Sequence, residues 1–287
     1  MNPVIKPFYD NDSSTFSYVV SDPIKKQCAI IDPVLGYDFR SGQTNTEGAT
    51  EIILYIKANQ LQLDWILETH VHADHLSAAH YIRQQIGGKI AIGDKVPLVQ
   101  ETFKSIFDMG ESFATNGQQF DRLLDDNECF KIGDLTVKTI STPGHTPACI
   151  SYQIGDSLFV GDTLFMPNYG TARCDFPGGD AKTLYQSIQR IFKLPNQTKL
   201  YMCHGYDDNQ PEKRFVSTVE QQRSENIHIH DGISAEDFIA LRHARDAQLA
   251  MPNLIIPSVQ VNIQAGELPT SEKNGIKYLK IPLNTLG

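Results

Sequence analysis

Short apolar runs separated by turn-forming residues dominate the first part of the chain. Residues 18–20 and 29–31 are apolar and flank a turn at Asp22 and Pro23, the pattern of a hairpin. Residues 34–50 are polar, contain glycine and lack periodicity, which predicts an exposed loop leading to a helix capped near Thr50. In that helix Ile52, Ile53, Ile56 and then Leu61 supply the apolar stripe. Residues 63–67 read as a buried strand, and the polar cluster Thr69-His70-Val71-His72-Ala73-Asp74-His75 follows at once. A second helix is expected over 77–86, stopping at Gly87-Gly88, with the next strand over 89–92. Strand, loop, helix and strand in that order argue for an α/β unit.

From Cys129 to Phe165 the helical period is absent. Residues 135–140, 149–154 and 157–160 alternate or run apolar, with turns at Gly133-Asp134 and Gly155-Asp156, so tightly joined antiparallel strands are expected. Asp180 is placed to cap a helix carrying Leu184, Ile188 and Ile191 on one face. Residues 199–203 read as another strand, ending at His204. Beyond about Glu220 a helix is expected over 234–249, then a Pro-rich irregular tail. No internal repeat or low-complexity tract interrupts the chain.

The 287 residues are 40% hydrophobic and 21% charged, enough for one large or two small domains with a substantial core. A net charge of −9 repels phosphate backbones and anionic lipid, so neither nucleic acid nor membrane is an expected partner. A local basic pocket for a small anion is compatible with that charge. The N-terminus lacks the basic and apolar segments of a secretory signal, and no apolar run approaches the ~18 residues of a membrane span. Cys28, Cys129, Cys149, Cys174 and Cys203 stand far apart without a CxxC, so no disulfide framework is expected. A reducing cytoplasm is the expected compartment.

The densest local chemistry is H-x-H-x-D-H at His70, His72, Asp74 and His75, four metal-capable side chains within six positions after a buried strand. Alternate residues on such a loop can point into one cavity. Three further candidates sit at the ends of expected strands: His145 in Gly144-His145-Thr146, Asp162 in Gly161-Asp162-Thr163, and His204 in Cys203-His204-Gly205. Each alone is an ordinary turn residue; together they predict a metal centre using His70, His72, His145 and Asp162 or a subset of them.

The order HxHxDH, GHT, GDT and a late CH resembles the metallo-β-lactamase superfamily, which implies an αββα sandwich with the metal at one edge of two sheets. On that resemblance, residues 1–220 form the catalytic domain and 221–287 an elaboration packed on it. A finer resemblance is to persulfide dioxygenases, carried by 72–79, by 161–165, by the run from Tyr169 to Phe176 and by Pro257-Ser258-Val259-Gln260-Val261-Asn262. It implies one Fe(II) per chain, with Zn(II) as the alternative, held by His70, His145 and Asp162. His72, Asp74, His75 and His204 then support that shell or form a second metal position. The implied reaction oxidises glutathione persulfide or a similar small persulfide with O2 to thiol and sulfite. Arg173 resembles the arginine that grips a glutathione carboxylate, with Thr146 and Tyr206 as further contacts; Asp74, His75, Asp175 and Tyr206 are the implied catalytic side chains. The alternative for Arg173 is an ion pair with Asp175, and Asp175 can instead brace a metal ligand. Gly205 departs from relatives that often carry aspartate there. A homo-oligomer, dimer or tetramer, is also expected.

The scaffold does not fix the reaction. The rival enzyme is a glyoxalase II-like thioester hydrolase with two metals bridged by Asp162, which would use all seven candidate ligands. A non-catalytic metal-bearing sensor is the rival of another class, and a nuclease is disfavoured by the acidic charge. His80 and His243 read as helix-face residues, His228 and His230 as a short exposed strand, and Cys174 as a small buried hydrophobe.

Overall fold

Alternation along two adjacent strands decides the layering. In β2 (Thr15–Ser21) Tyr18 and Val20 enter one apolar cluster and Val19 another; in β3 (Gln27–Ile31) Ala29 and Ile31 split from Cys28 and Ile30 in the same way. A sheet apolar on both faces must be covered on both. The computed structural model, which describes residues 2–206 and 214–286, supplies both covers.

The first sheet runs β1 (Val4–Asp10), β2, β3, β6 (Gln62–Leu67), β8 (Lys89–Gly93) and β9 (Arg122–Leu124). The second runs β10 (Cys129–Ile132), β11 (Leu135–Ser141), β12 (Ile150–Ile154), β13 (Ser157–Phe159), β14 (Lys199–Tyr201) and β15 (Val216–Thr218). Between them lies a core that includes Tyr18, Ile31 and Leu67 from the first sheet and Val137, Tyr152 and Phe159 from the second. Outside the first sheet pack α1 (Glu47–Ala58), α2 (Ala79–Ile86), α3 (Val96–Ile106) and α7 (Ile255–Asn262), through residues such as Ile52, Ile82, Val99 and Val259. Outside the second pack α4 (Ala181–Ile191) and α6 (Ala235–Asp246), through Leu184, Ile188 and Phe238, with Val219 of α5 (Val219–Glu225). The order of layers is helix, sheet, sheet, helix, as expected.

Several expectations need correction. Residues 34–50 are no loop: β4 (Val34–Asp38) pairs with β5 (Gln43–Asn45) on one side and β7 (Leu76–Ser77) on the other in a small third sheet, and α1 follows Thr46, not Thr50. Polar composition hid this because β5 is exposed throughout. Ser77 belongs to β7, so α2 starts two residues later than expected. The Pro-rich tail holds α7, with Pro257 in its first turn, where a missing N–H costs nothing. Residues 227–229 form a turn, not an exposed strand, and His228 is buried. Among the described residues no helix is long and apolar enough to cross a membrane.

Candidate metal centre

Five strand ends deliver the site. Asp32 follows β3, Glu68 to His75 follow β6, and His145, Asp162 and His204 lie beyond β11, β13 and β14. Parallel pairing of β3 with β6 and of β13 with β14 brings the carboxyl ends of each pair to one side. The sheets are stitched there, Phe16 N–H donating to the Cys203 carbonyl at 2.7 Å and Ile150 N–H to that of Thr69 at 2.9 Å. Gly161, at φ +52°, makes the approach possible: a Cβ there would lie 2.6 Å from Thr69 Oγ1.

His70, His145 and Asp162 are buried, and each brings a ligand atom to within 4.8 Å of the others. Two hydrogen bonds set the imidazoles. His70 Nδ1 lies 3.0 Å from Thr69 Oγ1, whose own proton goes to Asp32 Oδ2 at 2.8 Å, so the ring must be the donor. His145 Nδ1 donates to the Arg173 carbonyl at 2.8 Å. In both rings the lone pair is left on Nε2. His70 Nε2 is buried without a hydrogen-bond partner among the described residues, the environment of a metal-ligating nitrogen.

Around this trio stand the remaining predicted residues. His72, Asp74 and His75 form a second such group, and Asp162, Cys203 and His204 a third. His75 Nδ1 donates to the Leu76 carbonyl at 3.2 Å and its buried Nε2 is unpartnered. His204 Nε2 lies 3.2 Å from Asp162 Oδ1 and 3.4 Å from Asp74 Oδ2. The His72 ring packs between those of His70 and His75, with centroids 4.0 and 4.2 Å away. Its Nε2 lies 3.1 Å from Asp32 Oδ1 and 3.5 Å from Glu68 Oε2, so it belongs to a further group with those carboxylates as well. Asp32 and Glu68 were missed in the sequence. Asp32 ends a buried strand at φ +48°, a signal of the same kind as the histidine after β6.

Burial holds His70 well below the usual imidazole range and His75 down at about 4, with the neighbouring His72 adding to each. For Asp162 burial opposes the charge, but His204, His70 and His145 outweigh it and hold the carboxyl well below its usual range. Burial likewise opposes protonation of His204, yet Asp162 and Asp74 raise it to about 9. Neutral His70 and ionised Asp162 are the forms that bind a cation, whereas His204, raised to about 9, carries a proton at neutral pH that it must lose to ligate.

A cavity of about 290 Å³ opens on Asp74, His145, Asp162 and His204, walled by aromatic rings including Phe165 and Tyr206. Tyr206 stacks on His204 with centroids 5.1 Å apart. Gly205 leaves room for Phe16, whose Cε2 a Cβ would approach to 2.6 Å. Arg173 lines the cavity, but its Nε and Nη2 donate to Asp175 at 2.6 and 2.7 Å and its Nη1 to the Ala250 carbonyl at 2.7 Å. The ion pair weighed for Arg173 is therefore present, and Asp175 touches Arg173, not a metal ligand. Thr146 is not on the cavity wall; its hydroxyl meets Cys149 Sγ at 3.1 Å. Arg242, Asp246 and His228 form a buried cluster behind the 171–174 segment: Arg242 pairs with Asp246, whose Oδ2 accepts from Cys174 N–H at 2.9 Å, and His228 Nδ1 accepts from Thr171 N–H at 2.9 Å.

Known proteins resemble the whole chain. Glyoxylase B2 of Dictyostelium discoideum is 51% identical over 284 residues, 98% of this chain and 97% of that protein. A probable metallo-hydrolase of Burkholderia pseudomallei (strain 1710b) is 50% identical over 292 residues, covering 98% and 99%. Human mitochondrial persulfide dioxygenase ETHE1 is 28% identical over 272 residues, covering 93% and 91%. The crystal structure of ETHE1 from Myxococcus xanthus superposes with a TM-score of 0.74 at 28% identity, covering 92% of this chain and 100% of that one. A sequence model of the metallo-beta-lactamase superfamily matches residues 10–204, the span that contains every candidate metal ligand, and the chain belongs to that superfamily.

Proposed function

We propose that the chain is a persulfide dioxygenase acting on glutathione persulfide or a similar small persulfide. The balance is RSSH + O2 + H2O → RSH + SO3²⁻ + 2 H⁺: the terminal sulfur is oxidised, dioxygen is reduced, and the S–S bond breaks to release the thiol. The observation that carries this reading is the convergence of His70, His145 and Asp162 as a two-histidine, one-carboxylate group, while His72 Nε2 is directed to Asp32 and Glu68. Such a set suits a single Fe(II) and leaves coordination positions open. Iron, when bound, supplies the redox chemistry between sulfur and dioxygen.

The protein's own part is binding, orientation and exclusion of water. The Thr69 hydroxyl and Arg173 carbonyl fix which nitrogen each ring presents. Phe165 and Tyr206 give the cavity apolar walls in which a persulfide is held away from solvent. Two of the five Arg173 N–H groups have no acceptor among the described residues and can take a substrate carboxylate. Asp74 and His204 border the same space, with His75 grouped beside Asp74, and the three are assigned to proton handling and to support of Asp162. Full-length similarity to ETHE1 in sequence and structure supports the reading.

A second reading, thioester hydrolysis at two metals, is favoured by the 51% identity to glyoxylase B2 and by Asp74, His75 and His204 gathered beside Asp162. The deciding experiment supplies glutathione persulfide and S-lactoylglutathione to separate samples of the iron-loaded protein. Oxygen uptake with the first substrate and no hydrolysis of the second is expected. Hydrolysis of the thioester without oxygen uptake would establish the second reading instead.

A further inference from the structure

The metal-binding loop is gripped from a part of the chain nearly two hundred residues away. Asn262, the last residue of α7, is buried, and its carboxamide makes three contacts with residues 72–77. Nδ2 donates to the carbonyls of His72 at 2.9 Å and His75 at 2.8 Å, and Oδ1 accepts from Ser77 N–H at 2.7 Å. Two donors and one acceptor on one rigid plane match three backbone groups that would otherwise lie buried and unpaired. The two carbonyls bracket Asp74, so the contacts set the backbone that aims His72, Asp74 and His75.

The segment just beyond α7 reinforces the grip. The chain turns through Ala265 at φ +55° and Gly266 at φ +81°, and a Cβ on Gly266 would lie 2.7 Å from the Ser77 carbonyl. Only a glycine allows the backbone this close to the start of α2. Gln260, nearby on α7, faces a different partner. It donates to the Lys280 carbonyl and accepts from Lys280 N–H, both at 2.9 Å, and makes no hydrogen bond to the 72–77 loop.

We infer that Asn262 is a positioning residue for the metal centre, its carboxamide holding in place, before any metal arrives, the His72–His75 loop whose His72 ring packs on that of His70 with centroids 4.0 Å apart. The inference depends on the metal centre and not on which reaction the centre runs. Partners that orient ligands commonly govern metal affinity by roughly 10–100-fold. Asn262→Asp keeps the shape and the acceptor but removes both donors and sets a carboxylate against two carbonyls.

The test is Zn(II) affinity by competition with a chromophoric chelator, alongside the melting temperature of each metal-free variant. Asn262→Ala and Asn262→Asp should bind Zn(II) about 10–100-fold more weakly than wild type. Gln260→Ala should lower the melting temperature through its loosened tail yet bind Zn(II) like wild type. Wild-type affinity in the Asn262 variants, or equal losses in Gln260→Ala, would overturn the inference. A third measurement stands even if the Asn262 variants do not fold: amide exchange in metal-free wild-type protein. Protection of the Ser77 amide before metal is added is expected; protection that appears only with Zn(II) would mean that the metal, not Asn262, orders the loop.

Discussion

Arg173 acts on His145 with its backbone and on Asp175 with its side chain. Its carbonyl accepts from His145 Nδ1 at 2.8 Å while its guanidinium takes both Asp175 oxygens. A residue that fixes the tautomer of a candidate ligand is thus itself fixed by a neighbouring carboxylate, and behind it by Asp246 at Cys174. Losing either member of the Arg173–Asp175 pair should loosen the same segment.

Asp175→Ala is therefore expected to lower kcat/KM for a persulfide on the order of tenfold, the scale of a charge-assisted pair, and Arg173→Ala at least as much, because it also removes the N–H groups offered to the substrate. The double variant should be little worse than Arg173→Ala alone, since the two residues share one interaction. Steady-state kinetics of all three proteins checks this. A normal or improved Asp175→Ala beside a crippled Arg173→Ala would make Arg173 a substrate anchor alone.

The Thr69 hydroxyl relays Asp32 to His70, and Thr69→Val keeps the shape while removing the relay. Metal affinity should fall by roughly 10–100-fold, with the melting temperature of the metal-free protein changed far less. Chelator competition reads the first quantity and thermal unfolding the second. Unchanged affinity would mean that the relay does not orient the ring.

His228 lies at about 4, pushed down by burial and by Arg242 and Arg245. The folded protein keeps this ring neutral, whereas the unfolded chain takes up a proton below its ordinary value of about 6.5. The contribution to stability is thus complete above about pH 6.5 and is lost as pH falls toward 4. His228→Asn retains an acceptor for Thr171 N–H and has no proton to gain. Between pH 7 and 5 the metal-free variant should lose several degrees less in melting temperature than wild type. Equal losses in both proteins would contradict this account of His228.

The layered fold was legible from the resemblance carried by HxHxDH, GHT, GDT and the late CH, and from the strand, loop and helix that alternate from 63 to 92. The division of β2 and β3 between two apolar clusters shows only in the structure. The candidate ligand cluster was legible because histidines and aspartates fall at strand ends, where side chains converge whatever the loops do. The features that stayed hidden depend on contacts distant in sequence. Asp32 looks like any turn aspartate until β3 lies beside β6, and Asn262 like any polar residue near the C-terminus until α7 docks on β7. His228 was read as exposed because alternating Ile and His mimics a strand edge, while the cluster with Arg242 that buries it comes from α6. Arg173 stood out as a cation near the site, but its bond to Asp175 lies two residues away, too near for pattern alone to separate anchor from ion pair.

Ligand substitutions separate a single metal from a pair. His70→Ala, His145→Ala and Asp162→Ala should each abolish metal binding and turnover, because each removes one of three ligand atoms gathered at one point. His72→Ala and His204→Ala should retain part of the iron, since His72 faces Asp32 and Glu68 and His204 lies across Asp162. Elemental analysis of the five proteins checks this. Equal loss in all five would indicate a binuclear centre.

The most direct test of the account is metal content and oxygen consumption measured on one anaerobically purified preparation. About one iron per chain, with one O2 taken up and one sulfite formed for each glutathione persulfide consumed, is the predicted result. Two zinc ions per chain, with no oxygen uptake and activity that survives removal of iron, would contradict it.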